Sequence, residues 1–112
     1  MDKPLYLCVC QYGHSRSVAL CRVLHAKGQQ AIAVGLGTAP YWLPFLSRDA
    51  DKILILESQY RKHIPVEYRE KVIDFHVGPD VWSNPYDKAL YTLLEQMVKE
   101  KLGLWAINLT QS

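Results

Sequence analysis

The chain has 112 residues, 49% of them hydrophobic and 21% charged, with a formal net charge of +2. That is enough apolar material for one core in a single domain spanning residues 1–112, and scattered, nearly balanced charge argues against a nucleic-acid surface. No apolar run approaches the roughly 18 residues of a membrane span, and the start lacks the basic stretch and small-residue cleavage site of a signal peptide, so a cytoplasmic protein with no membrane or nucleic-acid partner is expected.

Residues 4–10 are apolar almost without a break from Leu5 onward, the pattern of a strand buried on both faces of a parallel sheet. A polar, glycine-containing break follows over 11–15. Apolar residues then recur at helical spacing over 17–28, where Gly28 suits a left-handed cap, so a helix is predicted. Short apolar runs at 31–34, 53–56 and 72–77 predict three more strands, separated by stretches rich in Pro, Tyr and charge. Over 88–102, Leu90, Leu93, Leu94, Met97 and Leu102 share one helical face. Strands alternating with helices predict an α/β domain with a four-stranded parallel sheet, flanking helices and right-handed crossovers. The tail 103–112 holds Leu104, Trp105, Ile107 and Leu109. It is too apolar to hang in water and is expected to pack back on the domain or to form a homodimer.

The three cysteines Cys8, Cys10 and Cys21 are an odd set, and the first two lie too close on an extended strand to bridge comfortably. His14, His25, His63 and His76 have no zinc spacing. No disulfide framework, metal or other cofactor is expected, and a reducing compartment fits.

Chemistry concentrates between Cys10 and Ser17. That loop joins the carboxyl end of the first strand to the start of the first helix, where an open α/β sheet places its ligands. Backbone N–H groups of Gln11, Tyr12, Gly13, His14 and Ser15 in such a turn would face an anion, and the helix dipole adds positive charge. Gly13 permits the curl. Arg16 can present a bidentate fork to two phosphate oxygens, acting on the transferred group rather than in the core. A thiolate at a helix N-terminus beside Arg is stabilised, and only a thiolate is a competent nucleophile, which makes Cys10 the candidate. Ser17 is placed to donate a hydrogen bond to the sulfur when it leaves. Cys8 and Cys21, with no anion-binding turn after them, read as small buried hydrophobes.

These residues resemble a family. Cys10, Arg16 and Ser17 fit the Cys-x5-Arg-Ser signature of cysteine-dependent protein tyrosine phosphatases, and its position resembles the low-molecular-weight branch. The likeness runs on through residues 35–39 and 49–58, the latter similar to that branch's Asp-x-Asp, strand, Asp-Glu-Ser stretch. Pro79 and Asp80 with Asn84, Pro85 and Tyr86 resemble its acid-bearing Asp-Pro-Tyr loop. Three positions depart from it. Gly13 gives the loop a dual-specificity-phosphatase character, Ser15 replaces a second loop cysteine that would guard the nucleophile, and Asn84 replaces the acid. The resemblance implies hydrolysis of phosphotyrosine or similar aryl phosphate monoesters through a phosphocysteine on Cys10. It also implies a phosphorylated protein or small phosphoester as substrate, and a loop that phosphate or sulfate can occupy.

The leaving oxygen needs a proton, and Asp80, right after the last strand, is the expected general acid. Asp87, which opens the last helix, is the alternative and also suits a cap. Tyr41, Trp42, Trp82 and Tyr86 fall in loops expected to wall the aryl ring, together with Tyr12. A phosphate-binding module without catalysis is the rival reading, opened by Asn84, and a protein working only through its apolar tail is another. An arsenate reductase would need late cysteines, and none follows Cys21.

Overall fold

The computed structural model describes residues 3–11, 16–37, 40–77 and 86–104. Four strands, β1 Leu5–Cys10, β2 Gln30–Gly35, β3 Lys52–Ile55 and β4 Val72–Asp74, form one sheet in the order β2-β1-β3-β4. All three pairings are parallel, with Cys10 opposite Gly35, Val9 opposite Ile55 and Ile55 opposite Asp74. The carboxyl ends of the strands therefore share one edge. β1 lies between its two neighbours, which explains why Leu7 to Cys10 are all at most 1% exposed and why their sequence is almost uniformly apolar.

The connections decide where a ligand can sit. From β1 the chain crosses to β2 on one side through α1, Arg16–Ala26, and from β2 it passes over β1 to β3 through α2, Leu43–Asp49. With right-handed crossovers these two helices cover opposite faces, and the loops leaving β1 and β2 part company above the carboxyl end of β1. Cys10 ends that strand.

α3, Lys88–Leu102, packs on α1 and buries Leu90, Leu94 and Val98. Its bounds coincide with the periodic stretch because both ends are capped. Asp87 Oδ1 accepts from the backbone N–H of Ala89 and Leu90, and Gly103 takes φ +68° at the other end. Arg22 Nε donates to Tyr91 Oη at 2.7 Å and Lys27 Nζ lies 3.6 Å from Glu95 Oε1, both across the α1–α3 contact.

Two departures from the sequence pattern have local causes. The run 72–77 forms a strand only to Asp74, because His76 adopts φ +50° and Asp74 Oδ1 accepts from its backbone N–H. The kinked chain still donates from Phe75 to Ile55 O and from Val77 to Leu56 O. The stretch 40–71 holds α2 and three 3-10 segments, Pro40–Trp42, Ser58–His63 and Val66–Lys71. None is long enough to display a helical period. Lys71 Nζ closes α2 by donating to the carbonyls of Ser47, Arg48 and Ala50 at 2.7–3.1 Å. Leu104 packs against the core, and the apolar tail beyond it lies outside the described residues. Among the described residues no helix is long and apolar enough to cross a membrane.

Candidate functional site

The start of α1 and the end of β1 bring three predicted residues together. Cys10 Sγ lies 3.0 Å from Ser17 Oγ, both groups buried. The thiol donates here; a thiolate at the same place would accept from the hydroxyl. Arg16, read from the sequence as acting on substrate alone, is also a core residue and only 1% exposed. A guanidinium buried that deeply requires an anion beside it.

Glu57 supplies the anion, two residues beyond β3. Arg16 Nη1 donates to Glu57 Oε2 at 2.6 Å, Arg16 Nη2 donates to Tyr60 Oη at 3.1 Å, and Tyr60 Oη in turn donates to Glu57 Oε2. The three groups form a closed ring of charge-assisted hydrogen bonds, which fixes the plane of the guanidinium. Burial and the bond to Glu57 push the Tyr60 hydroxyl up to about 12, so it stays a donor at any physiological pH. Burial alone would raise Glu57, but the bonds from Tyr60 and Arg16 and the Arg16 charge outweigh it and hold the carboxyl below its ordinary 4.5. The same partners keep Arg16 protonated against its burial.

Sequence reasoning did not find Glu57 or Tyr60. The available signal was topological: β3 adjoins β1, so the first acid past β3 reaches the first arginine past β1. A folded-state value below the unfolded one means that Glu57 contributes stability fully above about pH 4.5, and that this contribution fades as pH falls through the lowered value. Glu57→Gln is therefore expected to flatten the acid limb of the stability curve, as measured by urea unfolding between about pH 6 and pH 3.

The remaining cysteines are of another kind. Burial pushes the Cys8 thiol well up, with Cys21 and Cys10 adding to it, and burial also raises Cys21, whose Sγ donates to Ala31 O at 3.2 Å. Neither is a nucleophile at neutral pH.

Gln11 follows Cys10 directly. Gly37 donates to Gln11 O at 2.7 Å and Leu36 to Cys10 O at 2.9 Å, tying the turn after β2 to the root of the loop. Trp42 is 62% exposed and meets Phe45 edge-on, with ring centres 6.4 Å apart. Tyr86 packs its ring under the Arg22 guanidinium at 4.9 Å, six residues along α1 from Arg16. Tyr12, Gly13, His14, Ser15, Asp80 and Trp82 lie outside the described residues.

No family model and no curated protein matches the chain. Solved structures do. The tyrosine phosphatase Wzb from Escherichia coli K30, in complex with phosphate, superposes with a TM-score of 0.68 at 21% identity, covering 88% of this chain and 96% of that one. The Erwinia amylovora tyrosine phosphatase AmsI gives 0.68 at 19%, covering 94% and 95%. Vibrio vulnificus Wzb in complex with benzylphosphonate gives 0.66 at 19%, covering 94% and 98%. The chain has the fold of these phosphatases. In that fold the four-stranded parallel sheet expected from the sequence is present with its helices, and Cys10, Arg16 and Ser17 sit where the inner strand β1 gives way to α1.

Proposed function

We propose that the protein is a cysteine-dependent phosphatase that hydrolyses phosphotyrosine or similar aryl phosphate monoesters. The observation that carries this reading is the buried Arg16, locked by Glu57 and Tyr60 at the N-terminus of the helix that also holds Ser17 3.0 Å from Cys10. A guanidinium has five donors, and two suffice to anchor it, so its charge is oriented before substrate arrives. The Cys10 thiolate attacks phosphorus, the bond from phosphorus to the aryl oxygen breaks, and Asp80 delivers the proton that the leaving oxygen takes. Water then attacks the phosphocysteine and gives its proton to the Asp80 carboxylate left by the first step, the P–S bond breaks with its electrons returning to sulfur, and the Ser17 hydroxyl donates to the departing thiolate. Arg16 and the loop N–H groups hold the equatorial oxygens throughout, as they would hold a phosphate or sulfate ion. No metal or other cofactor enters these steps. The buried thiols of Cys8 and Cys21 fit a reducing compartment, the cytoplasm.

The test is direct. Acid-quenched enzyme turning over p-nitrophenyl phosphate should carry one phosphoryl group on the peptide containing Cys10, seen by mass spectrometry. Turnover with the phosphoryl group on any other residue, or no turnover, would sink the reading.

A further inference from the structure

Beside the nucleophile lies a second concavity of about 410 Å³, walled by Gln11, Leu36, Leu43, Pro44 and His63. Its position follows from the topology. Gln11 is bonded through its carbonyl to the turn after β2, Leu43 and Pro44 open α2, and His63 closes the 3-10 segment that begins just past Glu57. One wall therefore adjoins Cys10 and the opposite wall belongs to the segment that carries Tyr60 and so anchors Arg16.

Two further observations characterise the surroundings. Tyr41, Trp42 and Phe45 are 85%, 62% and 54% exposed, three large rings in water within five residues, where isolated exposed apolar residues would need no explanation. His63, on the cleft's wall, follows Arg61 and Lys62 in the chain and all three are exposed, while Glu57, the acid that precedes them in sequence, is taken by Arg16. An apolar floor, flanked in sequence by exposed rings on one side and by basic residues on the other, adjoins Gln11, the residue after Cys10. A small phosphoester bound at Arg16 has nothing to put there; a polypeptide does.

We propose that this cleft is a docking subsite for the polypeptide flanking phosphotyrosine, seating an apolar side chain against Leu36, Leu43 and Pro44 and an acidic residue at the rim of Lys62 and His63. The proposal rests on the phosphatase reading and adds this chain's preference among phosphotyrosine segments, for apolar and acidic neighbours. The exposed rings give that segment a flat apolar surface on which to extend, and the rim charges steer it electrostatically, so the preference weakens with salt.

The experiment compares kcat/KM on p-nitrophenyl phosphate with kcat/KM on three phosphotyrosine peptides: one with adjacent Leu and Glu, one with Ala for Leu, one with Lys for Glu. The ratio of peptide to p-nitrophenyl phosphate is expected to be highest for the first and to fall about fivefold to tenfold for each of the others. The exposed double substitution Lys62→Glu with His63→Glu is expected to invert the order of the Glu and Lys peptides. Equal ratios for all three peptides, with p-nitrophenyl phosphate turned over normally, would overturn the subsite and leave the phosphatase standing. Failure on p-nitrophenyl phosphate as well as on the peptides would overturn both.

Discussion

Cys10→Ser is expected to lower hydrolysis of p-nitrophenyl phosphate by about 10⁴-fold or more, the scale on which loss of a catalytic nucleophile acts. The substitution is nearly isosteric at a position 1% exposed, and a serine hydroxyl can still bond to Ser17, so the melting temperature should change little. Arg16→Ala should match it in activity, by about 10³-fold or more, because the transferred phosphoryl group loses its principal charge partner. Stability separates the two variants. Without Arg16, the Glu57 carboxylate keeps only Tyr60 as a partner from the ring, and the volume of a buried guanidinium is left empty. A loss of about 2 kcal/mol is expected, which for a chain of this size is a fall in Tm of roughly 10 °C. Calorimetry on both variants, beside steady-state kinetics, reads both effects. A Cys10→Ser protein retaining more than a trace of turnover, or an Arg16→Ala protein as active as wild type, would contradict the assigned roles.

The same ring explains which parts of the molecule could be read from sequence. β1 was legible because a strand with neighbours on both sides and helices on both faces has no polar position except at its ends, and Leu5–Cys10 says so residue by residue. α3 was legible to its exact bounds because Asp87 and Gly103 mark both ends chemically as well as by period. Cys10 and Arg16 lie six residues apart, so local spacing was enough to suggest them as candidates. Glu57 and Tyr60 lie 41 and 44 residues from Arg16. Only the strand order, with β3 beside β1, brings them to it, and strand order is not written in any one window of sequence. α2 escaped for a different reason: seven residues with proline at the start carry less than two full turns of pattern. The early end of β4 depends on a single left-handed residue, His76, whose conformation is held by Asp74 and, through Nδ1, by Ser58 Oγ at 3.2 Å.

Asp80→Asn is expected to reveal the general acid through the leaving group rather than through the overall rate. A phenyl or tyrosyl oxygen is too basic to depart without a proton, so hydrolysis of phenyl phosphate should slow by about 10²–10⁴-fold, whereas a nitrophenolate departs unaided and should be hardly affected. The alkaline fall in kcat/KM, which reports the acid losing its proton, should flatten in the same variant. Asp87 is the control, and its geometry makes the comparison clean. Its Oδ1 already accepts from two backbone N–H groups at the start of α3, at 2.9 and 3.2 Å, and a carboxyl that swung out to protonate substrate would abandon both. Asn keeps that accepting oxygen, so Asp87→Asn should preserve the cap and leave the leaving-group dependence unchanged, while Asp87→Ala should lose about 1 kcal/mol of stability with the chemistry still intact. If Asp87→Asn shows the leaving-group effect and Asp80→Asn does not, the acid is Asp87 and α3 must unwind its first turn during the reaction. If neither shows it, neither aspartate protonates the leaving oxygen; a wild-type protein that hydrolyses no aryl phosphate at all is the outcome that favours a phosphate-binding module.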